Sequence, residues 1–243
     1  MIDLHMHLLP GIDDGAKDIY DTLEMARIAA ENGTTDIVAT PHCNVPGFYD
    51  NYYGKKYKEV FQKAREAIKK EQIPIRLHPG MEVFLTEEVP DLIAERKIIT
   101  LNGSRYPLVE FDFRIDPDYA DYLVDGVAKT GLTPLIAHVE RYGFIQEHPA
   151  HVREWIKKGY VLQCNKGSFK GKFGKTAKHT AYYMLEHEYA NVIASDAHSP
   201  YRRTPNMPEV YEDLMMEYSE DYLERLFQVN PMRICLNQAI IRK

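Results

Sequence analysis

The sequence lacks any long apolar run. No stretch approaches the roughly 18 consecutive apolar residues of a membrane-spanning helix, so we expect no membrane insertion. No basic segment followed by an apolar one, the mark of a secretory signal, precedes the first strand-like stretch, which starts at Met1. Cysteine is scarce, and the three cysteines, Cys43, Cys164 and Cys235, are too few and too far apart to predict a disulfide framework. These absences together predict a cytoplasmic protein.

Other absences exclude classes of protein. A cysteine phosphatase needs a cysteine with an arginine six positions later, and none of the three cysteines has one. A Gly-x4-Gly-Lys-Ser/Thr motif is missing, which argues against nucleotide binding by a P-loop. Positive charge is not in excess, because the net charge is −6, and general nucleic-acid binding is therefore not expected.

The sequence does contain strand-like and helix-like stretches that alternate from end to end. The predicted strands are Ile2–His7, Asp36–Thr40, Ile75–Glu82, Tyr106–Phe111, Thr133–His138, Tyr160–Asn165 and Asn191–Ser195. The predicted helices are Ile19–Ala30 with Gly33 after it, Asn51–Glu71, Tyr119–Val127 before Gly131, Val152–Lys158, Lys175–Glu186 and Met207–Phe227. About seven such units predict an α/β protein with a parallel β/α barrel, and we expect a single domain over residues 1–243.

Side chains that bind metal ions recur where these strands end. In parallel barrels the functional residues lie at the C-terminal ends of the strands, so these side chains should meet there. Histidine and carboxylate ligands without thiolate favour Mn, Fe or Zn in a catalytic site, and their number suits two or three ions. The candidates are His5, His7, Asp14, His42, Glu82, Glu110, His138, Asp196 and His198.

Several assignments stay open at this stage. Asp13 competes with Asp14, because the turn-forming sequence Gly-Ile-Asp-Asp-Gly gives either residue a structural role. Arg141 and Arg203 follow the candidate ligands and could bind phosphate in a forked geometry, with Arg202 as the rival of Arg203.

Two further segments also have open roles. The glycine- and lysine-rich segment Gly167–Lys178 is either a solvated flexible loop or an electropositive rim for an anionic substrate. The aromatic residues that follow His42 either belong to a loop and the next helix or form a wall for a substrate ring. They are Phe48, Tyr49, Tyr52, Tyr53 and Tyr57.

Five motifs resemble those of the polymerase-and-histidinol-phosphatase (PHP) superfamily. They are Asp3-Leu-His-Met-His-Leu-Leu-Pro-Gly-Ile-Asp-Asp-Gly-Ala16, Ala39-Thr-Pro-His42, Gly80-Met-Glu82, His138-Val-Glu-Arg141 and Ser195-Asp-Ala-His198. More narrowly, they resemble the bacterial protein-tyrosine phosphatases of capsule and exopolysaccharide operons. The resemblance implies a distorted (β/α)7 barrel with a trinuclear, usually Mn-dependent site.

The resemblance also implies a role for each candidate ligand. His5, His7, Glu82 and Asp196 would hold the first ion, and Glu82 would bridge to a second ion. Glu110 and His138 would complete the second site, while Asp14, His42 and His198 would hold the third ion. Arg141 and Arg203 match the phosphate-binding arginines of the family.

The expected activity is that of a phosphotyrosine-protein phosphatase that acts on the tyrosine-rich tail of a membrane-associated bacterial tyrosine kinase. A metal-bound hydroxide would attack phosphorus directly, without a cysteine nucleophile. The alternatives are a histidinol-phosphate phosphatase, another PHP phosphoesterase, or a non-catalytic metal-dependent module that caps the kinase tail. The native metal and the oligomeric state are not fixed by the sequence.

Overall fold

The computed structural model describes residues 1–242, and its centre is a parallel β/α barrel. Nine strand segments occupy seven positions around the barrel, because two positions are each split into two segments. The segments are β1 Ile2–Met6, β2 Asp36–Ala39, β3 His42–Cys43, β4 Arg76–Pro79, β5 Glu82–Phe84, β6 Leu108–Glu110, β7 Leu135–Ile136, β8 Val161–Asn165 and β9 Val192–Ala194.

The strand pairing closes the barrel. One parallel sheet runs β1-β2-β4 and the other runs β3-β5-β6-β7-β8-β9. The last position returns to the first, because Asp196 N donates to His5 O at 2.9 Å and His7 N donates to Ala197 O at 2.9 Å. The predicted distorted seven-position barrel is therefore confirmed.

The predicted continuous strand Ile75–Glu82 is wrong, since β4 stops at Pro79 and β5 begins at Glu82. Gly80 lies at the break, where a Cβ atom would come within 2.7 Å of the Val38 side chain. The break lets the chain leave its pairing with β2 and pair with β3 instead, in a register that places Glu82 beside His42. The split therefore brings two candidate ligands side by side.

Helices cover the outside of the barrel. They are α1 Ile19–Glu31, α2 Lys55–Lys70, α3 Val89–Ala94, α4 Pro117–Lys129, α5 Gly143–Glu147, α6 Val152–Lys157, α7 Lys166–Phe169, α8 Lys175–Glu186, α9 Pro208–Leu214, α10 Glu220–Glu224 and α11 Asn230–Cys235. No helix within residues 1–242 is long and apolar enough to cross a membrane.

Local chemistry sets the helix ends. The Asp18 side chain accepts hydrogen bonds from two amides of the first turn of α1, and Gly33 follows that helix in a left-handed conformation, as predicted. The predicted single helix Met207–Phe227 is wrong, because α9 ends at Leu214 and the Ser219 side chain caps a new helix by accepting from Tyr222 N. A π-helical turn, Arg225–Val229, then leads into α11.

Alternate strand residues belong to two separate cores. Leu108, Leu135, Val161 and Val192 join a small cluster, whereas the residues that follow them, such as Val109, join the large cluster shared with the helices. Side chains two apart on a strand share a face. Glu110 therefore lies on the face of Leu108, so the small cluster packs beneath the candidate site.

Candidate metal centre

All nine candidate ligands meet at the C-terminal ends of the strands. Their donor atoms form three overlapping groups, within each of which the atoms lie no more than 4.8 Å apart. The groups are His5 with His7 and Asp196; His42 with Glu82 and Glu110; and His7 with Asp14, His42 and His198. His138 joins them through Glu82. Most of these side chains are buried, and the cluster reaches solvent on the side of Asp14, which is 52% exposed.

Glu82 lies at the centre of the cluster. Its Oε1 atom is 3.1 Å from His5 Nε2 and 2.9 Å from His138 Nε2, and its Oε2 atom is 3.1 Å from both His7 Nε2 and His42 Nδ1. Burial alone would raise the pKa of Glu82, but the charges of His5 and His42 hold it well below its usual range. Both oxygens of this ionised, buried carboxylate therefore lie among imidazole nitrogens.

The hydrogen bonds of His5 and His7 provide a test of whether the cluster suits metal ions. His5 Nδ1 lies 3.0 Å from the amide oxygen of Gln163, and His7 Nδ1 lies 2.7 Å from Asp13 Oδ2. Both acceptors hold a proton on Nδ1, so the Nε2 atom of each ring faces the cluster and can bind a metal ion once it carries no proton. The two Nε2 atoms are 3.3 Å apart and face carboxylate oxygens. Imidazole nitrogens and carboxylate oxygens this close together repel one another unless cations lie between them. This set of ligand atoms therefore fits metal ions.

Two histidines of the cluster have raised pKa values when no metal is bound. Burial by itself lowers the pKa of His138, but hydrogen bonds to Glu110 and Glu82 raise it to about 9. The pKa of His7 is raised well above its ordinary value, because the negative charge of Asp13 and the hydrogen bond to it outweigh burial. Metal binding would displace these protons.

The structure gives Asp13 and Asp14 different positions. Asp13 Oδ2 accepts from His7 Nδ1 and from His42 N at 3.0 Å, and Asp13 Oδ1 accepts from Gly15 N at 3.0 Å. Asp13 therefore orients a histidine instead of facing the cluster. Asp14 Oδ1 lies 3.5 Å from His42 Nε2 and 3.6 Å from His198 Nε2, so its carboxylate faces the cluster.

Arg141 and Arg203 both reach the cluster at Asp196. Arg203 forms an ion pair with Asp196 Oδ2, and an Arg141 guanidinium nitrogen lies 3.6 Å from the same oxygen. Arg202 is exposed on the surface. Burial alone would raise the pKa of Asp196, but the charges of His5 and Arg203 hold it well below its usual range.

Three residues of the site have left-handed backbone conformations. The φ angles are 35° at His138, 49° at Asp196 and 44° at Arg203. This region is uncommon for residues other than glycine, and such residues concentrate at functional sites. His138 and Asp196 each lie two residues past the end of a strand, and Arg203 lies farther along the segment that follows β9.

Sequence reasoning missed two residues of β8, Gln163 and Asn165. The Gln163 side-chain amide accepts from His5 Nδ1 and from His138 N at 3.3 Å, and it donates to Asn165 Oδ1 at 2.7 Å. The Asn165 amide in turn donates to Asp196 Oδ2. We call this chain of two amides the β8 relay. Its signal in the sequence was two buried polar residues at i and i+2 on a strand.

Of the aromatic residues after His42, one lies beside the cluster. The Tyr49 ring is parallel to the His42 ring within 8°, with 5.8 Å between their centroids. Tyr57 is buried instead and donates its hydroxyl to Gly80 O, and Phe48 is exposed. Of the two roles that the sequence left open for these residues, Tyr49 therefore has the position that a wall of the site requires.

A closed, distorted seven-position barrel with histidines and carboxylates at its carboxyl end defines a PHP-type barrel. Within that class the chain belongs to the family described as capsular polysaccharide synthesis, CpsB/CapC, which it matches over residues 1–236.

The chain is similar to named members of this family along its whole length. It is 36% identical to tyrosine-protein phosphatase YwqE of Bacillus subtilis, covering all of this chain and 94% of that protein. It is 31% identical to tyrosine-protein phosphatase CpsB of Streptococcus pneumoniae, covering 99% of this chain and 100% of that protein. A crystal structure from work on YwqE and CpsB, described as metal-dependent tyrosine phosphatases, superposes with a TM-score of 0.92 at 35% identity. That match covers 100% of this chain and 97% of the crystallised chain.

Proposed function

We propose that this protein is a metal-dependent protein-tyrosine phosphatase of capsular or exopolysaccharide synthesis. The observation that carries the proposal is the pair of inward-facing Nε2 atoms of His5 and His7 in a buried carboxylate cluster that two arginines join. The names and activities of the similar proteins YwqE and CpsB support the same assignment.

The nine ligands would hold three ions. We assign His5, His7, Glu82 and Asp196 to the first, Glu82, Glu110 and His138 to the second, and Asp14, His42 and His198 to the third. The contacts of His42 with Glu82 and Glu110 also allow this histidine to serve the second ion. We propose Mn²⁺ as the native metal, with Fe or Zn as competitors, because imidazole and carboxylate ligands accept all three.

When bound, such ions supply Lewis acidity toward a phosphate oxygen and lower the pKa of a water molecule so that it can act as a nucleophile. The residues of the chain do the rest. Arg141 and Arg203 would bind the phosphate oxygens and neutralise their charge, in the forked geometry that guanidinium groups provide. The leaving phenolate has a conjugate pKa of about 10, so expulsion needs little help from an acid. Aryl phosphates should therefore be better substrates than alkyl phosphates.

The cysteines are poor candidates for a nucleophile. Burial raises the pKa of Cys43 to about 12, and burial together with the charge of Glu140 raises the pKa of Cys164 well above its ordinary value. Burial likewise raises the pKa of Cys235 to about 12. Because the thiolate is the reactive form, a thiol mechanism is not supported.

We further propose that the substrate is the phosphorylated tyrosine-rich tail of a bacterial tyrosine kinase that controls polysaccharide synthesis, and that the protein acts in the cytoplasm. The alternative substrate is histidinol phosphate or another small phosphate ester. Comparing turnover of a phosphotyrosyl peptide with that of histidinol phosphate decides between them, and faster turnover of histidinol phosphate would overturn the protein-phosphatase assignment.

The central experiment measures hydrolysis of an aryl phosphate with Mn²⁺, before and after metal removal by EDTA, and after thiol alkylation. We expect activity to disappear with EDTA, to return with Mn²⁺ and to survive alkylation. His5→Ala should abolish activity at limiting Mn²⁺ without unfolding the barrel, whereas His179→Ala, at an exposed histidine of α8, should not change it. Full activity after metal removal would overturn the proposal.

A further inference from the structure

The segment Gly167–Lys178, whose role the sequence leaves open, contributes an aromatic ring to the site. After α7 the chain turns back, and the half-buried ring of Phe173 lies against Gly167. A Cβ atom at Gly167 would come within 2.8 Å of Cε2 of that ring. The glycine therefore provides the space in which the ring is seated.

The Phe173 ring covers both candidate phosphate-binding arginines. The Arg141 Cζ atom lies 4.1 Å from the centroid of the Phe173 ring and 4.3 Å from that of Phe113, which comes from the chain after β6. The Arg203 Cζ atom lies 5.6 Å from the Phe173 centroid. Two rings therefore pack on the Arg141 guanidinium, and one of them also reaches Arg203.

Such packing fixes an arginine without using its hydrogen-bond donors. Rings attract a guanidinium through its flat faces, whereas the N–H groups point outward in its plane. These in-plane N–H groups are the ones that donate hydrogen bonds to two phosphate oxygens in a forked arrangement. Apart from its 3.6 Å approach to Asp196, the Arg141 guanidinium forms no salt bridge within residues 1–242. Its position thus depends on the rings more than on charged partners.

We propose that Phe173 is a positioning residue for phosphate binding: with Phe113 it holds Arg141, and it also packs on Arg203, so that both guanidinium groups are oriented before the substrate arrives. The segment Gly167–Lys178 is therefore part of the site through this ring. The inference rests on the proposed role of the two arginines in binding the substrate phosphate.

The test uses the Mn²⁺-loaded full chain and the variant Phe173→Ala. The KM for an aryl phosphate and the inhibition constant for inorganic phosphate should both rise about tenfold, the scale of one lost cation–π contact with a desolvated arginine. The kcat value should change less, and the metal content should stay the same. Phe173→Tyr, which keeps the ring, should restore both constants, whereas Phe173→Leu, which keeps only the apolar bulk, should not.

The control is Tyr189→Ala, which removes from the exposed Arg153 both a ring, whose centroid lies 5.9 Å from Arg153 Cζ, and the hydroxyl that accepts from Arg153 Nε. Its KM and phosphate inhibition should equal those of the unchanged protein. Wild-type constants in Phe173→Leu would overturn the inference, because bulk would then suffice. A lower melting temperature of Phe173→Ala with unchanged constants would overturn it as well.

Arg141→Ala separates this inference from the proposed function. If Arg141→Ala weakens phosphate inhibition and Phe173→Ala does not, the arginine role stands and the positioning role fails. If Arg141→Ala leaves KM and phosphate inhibition unchanged, the phosphate-binding role of the arginine fails, and the inference about Phe173 fails with it.

Discussion

The β8 relay makes a quantitative prediction for Gln163→Met. Methionine is similar in length to glutamine and is flexible enough to fill the same space, so the substitution removes hydrogen bonds with little loss of volume. Three buried groups lose their partner, namely His5 Nδ1, His138 N and Asn165 Oδ1. At ~1 kcal/mol or more for each unsatisfied group, the metal-free protein should lose about 3 kcal/mol of its free energy of unfolding.

The same substitution should weaken metal binding. With Gln163 gone, the proton of His5 is no longer held on Nδ1, and Asn165 is no longer held in place beside Asp196. Loss of a group that orients metal ligands typically weakens metal affinity by about 10- to 100-fold. Isothermal titration of the EDTA-stripped protein with Mn²⁺ measures this change, and urea unfolding of the stripped protein measures the stability.

The control is Gln62→Leu on α2, where the glutamine amide hydrogen-bonds to Glu66 and Arg65 on the helix surface. It should leave Mn²⁺ binding unchanged. If Gln163→Met binds Mn²⁺ as tightly as the unchanged protein, the relay does not orient the ligands, whatever its contribution to folding.

Three further predictions follow from the structure. Gly15→Ala should lower both metal content and melting temperature, because a Cβ atom at this position would lie 2.2 Å from His7 O. The control Gly126→Ala, inside α4 and 3.6 Å from the nearest side chain, should instead stabilise the fold by ~0.5–1 kcal/mol. Normal metal content in Gly15→Ala would contradict the reasoning. For Asp36, burial opposes ionisation, but hydrogen bonds led by that from Arg76 lower its pKa to about 2. The contribution of Asp36 to the free energy of unfolding is therefore complete above the pKa of about 3.9 that it has in the unfolded chain, and it is lost as the pH falls toward 2. In urea unfolding of the metal-free protein, Asp36→Asn should lower the free energy of unfolding by ~1–2 kcal/mol at pH 7, a modest value because Arg76 is mostly exposed. The loss should be smaller at pH 3. An equal loss at both pH values would refute the linkage between the pKa of Asp36 and stability. Finally, Mn²⁺ at 100 times its Kd should add about 2.7 kcal/mol to the free energy of unfolding of stripped protein, and no shift in melting temperature would argue against a folded-state metal site.

The sequence predicted the barrel because its periodicity is strong, but it could not predict where strands break. The break between Pro79 and Glu82 depends on the close approach of Val38 to Gly80, which is a contact between segments far apart in the chain. The helix predicted over Met207–Phe227 failed for a local reason, since an apolar repeat continued across Ser219 while the side chain of that serine capped a new helix. Patterns of burial do not reveal such interruptions.

The choice among neighbouring residues also needed the structure. Asp13 and Asp14 have the same chemistry and adjacent positions, and only the turn around them decides which carboxylate accepts from His7 and which faces His42 and His198. Arg202 and Arg203 differ in the same way, because the left-handed backbone at Arg203 directs its side chain to Asp196.

The sequence by itself predicted the seven strand positions and the nine candidate metal ligands at the strand ends, because side-chain periodicity and residue type are properties of the chain. Only the tertiary structure decided how these side chains are held. The β8 relay joins Gln163 to His5, 158 residues away, and Arg141 contacts the rings of Phe113 and Phe173, which come from separate loops. Such contacts arise when barrel closure brings distant segments together, and no local pattern encodes them.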